Sequence, residues 1–320
     1  MSLLISGSLA YDYIMDFPDS FRNHILPDKT HMINLSFVIP ELKKEFGGCA
    51  GNMAYTIKLL GGEPIVLSPL GSDGAAYQSY CKKHKIKTKY MPLTTEHLTS
   101  SAHITTDKED NQIAAFHVGA GFEADQLSVH DVKEKIKLAI IAPTKKEAMI
   151  KHSKECAERN VPIVFDPGQQ LTALSAQELM LMIGQARFLI ANDYEMSLIE
   201  KKTGWDIANL LTHTQVVVTT LGEHGSVIRT RDEIFEIKPC PPRSVDDPTG
   251  AGDAYRAGFF TAYVRGYDLQ MCGQVGSVAA TYAVEHYGTQ NHRFTITEFT
   301  KRYEETYGKT PPLTLPSKND

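Results

Sequence analysis

The feature that most limits what this chain can fold into is the repeated alternation of short apolar runs with helix-like stretches. Runs at residues 3–8, 65–70, 137–142, 162–166, 188–191 and 216–220 are rich in Leu, Ile and Val. Continuous apolar runs this short suit strands buried on both faces, not amphipathic ones. Helix-like stretches separate or follow them at 51–60, 75–84, 145–159, 176–185, 195–202, 250–265 and 271–286. That order predicts a doubly wound α/β fold, with a mostly parallel sheet joined by crossovers and covered by helices on both faces. Two segments break the rhythm. Residues 16–46 mix prolines and histidines with an alternating stretch at 32–38, and 99–105 and 111–118 alternate about the polar turn 107–110. Alternation of this kind predicts half-exposed strands, here forming a small β sheet that stands off the main body. The tail 310–320, with three prolines, is expected to be loosely held.

Bulk properties exclude several classes of function. The chain has 320 residues, 42% hydrophobic and 22% charged, with a net charge of -5. A chain of this length buries a large core, and the charge gives no footprint for nucleic acid. No apolar run is long enough to span a bilayer. The start at 1–10 lacks a basic region and is followed by Asp12 and Asp16, unlike a secretory signal. Five cysteines without close metal-ligand spacing fit a reduced, cytoplasmic protein. None of the 12 histidines falls in a His-x-x-x-His pattern on a helix; His24, His31, His103 and His117 read as polar surface on or near the small sheet.

The sharpest chemical feature is Asp247-Pro-Thr-Gly-Ala-Gly-Asp253 ahead of an apolar helical stretch. Glycines allow a tight turn and close approach of a ligand. The first turn of a helix presents unpaired N–H groups and a partial positive charge. Gly250, Ala251 and Gly252 together therefore suit the oxygens of a phosphoryl group in transfer. Asp253, in the first helical turn, is placed to accept the proton of an attacking hydroxyl. The plainer reading is a loop-to-helix junction with Asp253 as a favourable N-terminal charge. The motif is not a Walker A loop, since no Gly-Lys-Ser/Thr follows, nor a Rossmann fingerprint, since it lies late in the chain with no matching first strand.

Residues 247–258 resemble the C-terminal signature of the PfkB, or ribokinase-like, family. Gly47-Gly-Cys-Ala-Gly-Asn52, with Ala54, Gly61 and Gly71, resembles its N-terminal signature. Within the family, residues 165–170, 284–290 and 111–116 look most like bacterial adenosine kinases. The resemblance implies an α/β domain (1–16, 47–91 and 122–320) with a β lid (17–46 and 92–121). It further implies ATP-dependent phosphorylation of the 5′-hydroxyl of a purine nucleoside, with adenosine going to AMP. In that role Asp253 is the general base, and the amides of Gly250, Ala251 and Gly252 form the anion hole.

On the substrate side, Ser8 and Asp12 follow the first strand, where open α/β sheets bind ligands. A carboxylate can accept hydrogen bonds from two vicinal hydroxyls. By resemblance Asp12 holds the sugar with Gly48 and Asn52, while Ser36, Gln169 and Gln170 contact the nucleoside. Taken alone, Asp12 and Asn52 read as caps or turn residues. Phe116 and Phe37 offer aromatic faces for a nucleobase, or simply lid packing. Two positions depart from related enzymes: Ala102 replaces a stacking aromatic, and Ala173 stands where an arginine follows the glutamine pair. Another purine nucleoside, or a broad nucleoside range, therefore stays open.

On the nucleotide side the resemblance assigns Thr220, Gly222 and Gly225 to the ATP loop and Asn192 to the nucleotide. It assigns Glu195 to Mg²⁺ through water, and Asp247 and Thr249 to a monovalent-cation site for K⁺. Asn192 and Glu195 also match a helix cap. Two alternatives remain beside the nucleoside kinase: a sugar kinase acting on ribose or a related sugar, and a non-catalytic nucleoside-binding protein. The lid strands are candidates for pairing in a homodimer.

Overall fold

The computed structural model describes residues 2–25, 36–109 and 111–308. The apolar runs form the parallel part of an eight-stranded sheet: β1 (Ser2–Ser6), β4 (Glu63–Leu67), β7 (Ile136–Ile141), β8 (Ile163–Phe165), β9 (Phe188–Asn192) and β10 (Val216–Thr220). Two antiparallel strands, β11 (Ser226–Arg229) and β12 (Ile234–Ile237), extend one edge, giving the order β12-β11-β10-β9-β8-β7-β1-β4. Successive side chains of a strand point to opposite faces, and the core divides accordingly. Leu3 and Ile5 of β1 join one apolar cluster with Leu138, Ile140, Phe188 and Val218, whereas Leu4 joins the other with Ile141, Phe165 and Leu189. Both faces are thus sealed, the condition a parallel sheet requires.

Helices α1 (Cys49–Leu59), α2 (Ala75–Lys83), α7 (Ala251–Val264), α8 (Leu269–Val284) and α9 (Ile296–Tyr307) supply the first cluster. Helices α3 (Lys146–Glu158), α4 (Ala176–Gln185), α5 (Asp193–Thr203) and α6 (Ile207–His213) supply the second. Helix α7 is buried almost all round, from Ala254 to Ala262, as a helix held between a sheet and other helices must be. It meets α8 where a side chain on Gly258 would lie 2.8 Å from the Val275 carbonyl.

A second, four-stranded sheet runs β3 (Leu42–Gly47), β2 (Ala10–Asp16), β5 (Ser100–Thr106), β6 (Gln112–His117). Its central pair β2/β5 is parallel and the outer pairs are antiparallel. Several elements differ from the sequence reading. Residues 10–16, expected in the α/β body, form a strand of the small sheet, so Asp12 is carried by the lid and not by a loop beyond β1. Of the alternating stretch 32–38, only 36–38 lies within the described residues, and it forms no strand. The tail 310–320 and His31 lie outside the described residues. Helices α6 and α9 and strands β11 and β12 were not anticipated. For α9 a signal existed: Thr295 and Glu298 form a reciprocal capping box at its start.

Candidate active site

Several of the residues singled out in the sequence, together with Asp166, lie at the C-terminal edge of the parallel strands. Ser8 follows β1, Asp166 follows β8, Asn192 ends β9 and Thr220 ends β10. Beside them lies the first turn of α7. Gly250 caps that helix with φ +80°, a left-handed conformation that favours glycine. The N–H groups of Gly250, Gly252 and Asp253 lie at the end a helix cannot satisfy internally. The Ala251 N–H donates to the Pro248 carbonyl at 3.2 Å.

Asp253 is half-buried in that turn. Asn52, on α1, donates from Nδ2 to its Oδ2 at 2.8 Å. The direction of the Asn52 amide is set from the other side, where Gln290 Nε2 donates to Asn52 Oδ1 at 3.0 Å and to Tyr77 Oη at 2.9 Å. Tyr77 in turn donates to the Gly47 carbonyl at 2.7 Å. With its oxygen engaged by Gln290, Asn52 can present only N–H to Asp253. Burial pushes Asp253 up to about 6. The Arg256 guanidinium and hydrogen bonds from Asn52 and Cys49 oppose that rise, and the Asp166 charge adds to it.

Asp12 approaches from the lid. It is buried, and its pKa is pushed up to about 7, first by burial and then by the charges of Asp253, Asp247 and Glu45. Across the small sheet, Glu45, Asp12, Ala102 and Phe116 are direct cross-strand partners in one row, so they share a face. Phe116 is 55% exposed there. A side chain on Gly47 would sit 2.1 Å from Asp12 Oδ2, so glycine alone leaves room for the carboxylate. Gly48, at φ +84°, lets α1 start against the Ser8 carbonyl. Ser8 is tied to the same helix start, accepting from the Cys49 N–H at its Oγ (3.2 Å) and from the Ala50 N–H at its carbonyl (3.0 Å).

Behind the α7 turn lies an ion pair to which the sequence reading gave no role. Arg256 reaches Asp166 through Nε at 2.6 Å and Nη2 at 2.8 Å, with both residues buried. Gln169 and Gln170 follow Asp166 in a short 3₁₀ turn, the first exposed and the second half-buried. Phe37 packs against Phe17 (4.5 Å between centroids) and Phe21 (5.2 Å), within the lid's own aromatic cluster, while Ser36 is exposed beside it.

Farther along the same edge, Asn192 and Thr220 are register partners at the ends of β9 and β10. Asn192 Oδ1 accepts from the Glu195 N–H (2.7 Å) and Glu195 Oε2 from the Asn192 N–H (2.9 Å), a complete capping box at the head of α5. Gly222 and Gly225, both with positive φ, shape the turn from β10 to β11. Asp247 accepts N–H bonds from Thr249 (2.9 Å) and Gly288 (3.0 Å), which pins the loop ahead of α7. Among the described residues, no group of three or more His, Cys, Asp or Glu side chains is placed to hold a metal ion.

The match to known proteins follows this layout. The model of the pfkB family of carbohydrate kinases matches residues 22–295. The chain belongs to the pfkB family. As a pfkB-family kinase it is a phosphotransferase acting on an alcohol group, with a ribokinase-like fold. It is similar to the nucleoside kinase of Methanocaldococcus jannaschii, with 35% identity over 93% of this chain and 95% of that one. The crystal structure of that archaeal ribokinase-family member superposes with a TM-score of 0.87. The nucleoside kinase of Methanothermobacter thermautotrophicus is 32% identical over 97% of this chain and 98% of its own. The Burkholderia thailandensis nucleoside kinase in complex with inosine is 37% identical, covers 97% of this chain and 99% of its own, and superposes with a TM-score of 0.89.

The residues that sequence reasoning missed are Gly47, Tyr77, Asp166, Arg256 and Gln290. All but Tyr77 lie inside stretches quoted for the family resemblance. Their roles depend on contacts across 30 to 238 residues of chain, which no local pattern encodes.

Proposed function

We propose that this pfkB-family kinase transfers the γ-phosphoryl group of ATP to the 5′-hydroxyl of a purine nucleoside, with Asp253 as the general base. The observation that carries the reading is the convergence of two raised-pKa carboxylates at one helix head. Asp253 sits under the open end of α7, and Asp12 faces it from the lid. Two groups that resist ionisation suit different tasks: one takes a proton from the attacking hydroxyl, the other accepts hydrogen bonds from the ribose diol. The row Asp12–Ala102–Phe116 supports a nucleoside over a bare sugar. Strands lie about 4.8 Å apart, so the ring of Phe116 stands roughly 10 Å from Asp12, with only the small Ala102 between. That gap suits a base extending from the ribose. The relatives named as nucleoside kinases, one of them a complex with inosine, support the same class. Adenosine is the first substrate to try and inosine the second. Phe37, packed into the lid cluster, is left out of base stacking; Ser36, Gln169 and Gln170 remain candidates for nucleoside contact.

In the reaction, Asn52 holds Asp253 in place, and Gly48 and Ser8 fix the start of α1 beside the sugar. The amides across Gly250, Ala251 and Gly252 receive the phosphoryl oxygens, the weak Ala251–Pro248 turn bond giving way to the anion. Thr220, Gly222 and Gly225 line the nucleotide side with Asn192. Glu195 fits a water-mediated contact to Mg²⁺, because one of its oxygens is committed to the cap and a hydrated ion needs few protein ligands. When bound, Mg²⁺ neutralises phosphate charge. Asp247 and Thr249 are the candidates for a K⁺ site, and an exposed edge along β6 is the candidate surface for lid pairing in a dimer.

An ADP-release assay over adenosine, inosine, guanosine, cytidine and ribose tests the reading. Turnover with a purine nucleoside is expected, falling by several orders of magnitude in Asp253→Asn. Full activity of a folded Asp253→Asn, or turnover with ribose alone, refutes it.

A further inference from the structure

Arg256 is 7% exposed and Asp166 2%; Nη2 donates to Asp166 Oδ1 at 2.8 Å, and Nε lies 2.6 Å from Oδ2 as an ion-pair contact without hydrogen-bond geometry. A buried ion pair is not in itself a stabilising arrangement, because desolvation offsets most of the attraction. Its third contact suggests another use. Arg256 Nη1 donates to the Gly252 carbonyl at 3.1 Å, and that carbonyl belongs to the same peptide unit as the Asp253 N–H. A side chain on Gly252 would lie 2.9 Å from that nitrogen, so glycine at 252 and the guanidinium fit each other. The guanidinium therefore grips the one peptide plane that both bears the catalytic carboxylate and closes the anion-binding turn.

We propose that the Asp166–Arg256 pair is a positioning element for phosphoryl transfer. Asp166 clamps the guanidinium, and the guanidinium orients the Gly252–Asp253 peptide and sets a fixed positive charge behind the anion hole. This rests on the reading of Asp253 as the base. Arginine suits the task because its planar fork serves the carboxylate and the carbonyl at once, which an ammonium cannot do. A charge placed before the reaction begins needs no reorganisation when the phosphoryl group moves. The groups that face Asp253 are Asn52 and Cys49 from α1, Asp12 from β2, Asp166 from the loop after β8, and Arg256 on its own helix; Glu195 of α5 acts on the pair. Among these, Arg256 is the leading influence that holds Asp253 down against burial.

Two variants separate charge from geometry. Asp166→Asn/Arg256→Gln keeps a hydrogen-bonding pair without charge. It is expected to fold, to leave the KM for nucleoside within about threefold, to lower kcat by about 10²-fold, and to move the acid limb of kcat/KM to higher pH. Arg256→Lys keeps the charge but loses the fork. It is expected to lower kcat by about tenfold with the acid limb in place. Wild-type kcat and pH profile in both variants overturn the proposal, as does failure of both to reach a cooperative thermal transition, which would make the pair a folding element only. Asp253→Asn run alongside keeps the two readings apart. If it stays active, the assignment of the base falls; if it is dead while the pair variants behave as wild type, only the positioning role falls.

Discussion

Replacing Gly47 with alanine tests the substrate side by a steric route that leaves every charged group in the chain. An added Cβ would lie 2.1 Å from Asp12 Oδ2, 2.5 Å from Cγ and 2.7 Å from Oδ1. The position of the added Cβ is fixed by the backbone, so the carboxylate must leave its position. Gly47 is not among the positive-φ residues, so its backbone accepts alanine without strain. The fold should therefore survive, helped by the roughly 0.4–1 kcal/mol that such a replacement gains by restricting the unfolded chain. If Asp12 holds the ribose diol as proposed, what is lost is its hydrogen bonding to the substrate. Hydrogen bonds to a charged group contribute about 1.5–3 kcal/mol each. Partial loss of two to a ribose diol amounts to about 3 kcal/mol, or ~10²-fold in kcat/KM. The assay is steady-state kinetics on Gly47→Ala, Asp12→Ala and the double variant, with thermal unfolding as the control for folding. Because the glycine acts only through the carboxylate, the double variant is expected to match Asp12→Ala, a strongly non-additive cycle. Additive losses, or wild-type kcat/KM in Gly47→Ala, would show that Asp12 does not hold the substrate.

Asp253→Asn should be more stable than the wild type at pH 7.5. The folded-state value of about 6 lies above the ordinary aspartate value of 3.8, so between these pH values the unfolded chain gives up its proton first and the native protein loses stability as pH rises. At 1.36 kcal/mol per pH unit the ceiling on the gain is about 3 kcal/mol; thermal melts should show it at pH 7.5 and not near pH 4, and an equal gain at both would refute the cause. Arg302→Met should unfold the C-terminal region more readily without touching kcat. Arg302 binds Glu285 in a fork (2.7 and 2.6 Å) and donates to the Pro241 carbonyl at 3.0 Å, so its loss removes the ionic partner of a largely buried carboxylate and leaves it the Arg243 N–H, at a cost of up to about 3 kcal/mol; a melting temperature unchanged from wild type would show that the pair is dispensable.

The parallel sheet was legible in the sequence because each strand is apolar on both faces, and a six-residue run such as 137–142 has few other ways to bury itself. The α7 head was legible too, since Gly250 and Asp253 do their local work within one turn of helix. Strand β2 was misread as body because its residues, Ala10–Asp16, continue the apolar character of β1. Only the register with β3 and β5 moves it, and Asp12 with it, to the lid. Phe37 offered a free aromatic face on paper; in the structure Phe17 and Phe21 cover it.

By itself the sequence determined which segments become buried strands, where the glycine turn at the head of α7 lies and which carboxylate follows it. All of these depend on neighbours within a few residues, through backbone geometry and side-chain polarity. The tertiary structure alone decided how that carboxylate is tuned. Asn52 reaches it across 201 residues of chain, Gln290 aims Asn52 across 238, and Arg256 joins Asp166 across 90. Acidity and orientation are set by burial and by charges a few ångströms away in space, and closeness in space between distant parts of a chain exists only once the chain has folded.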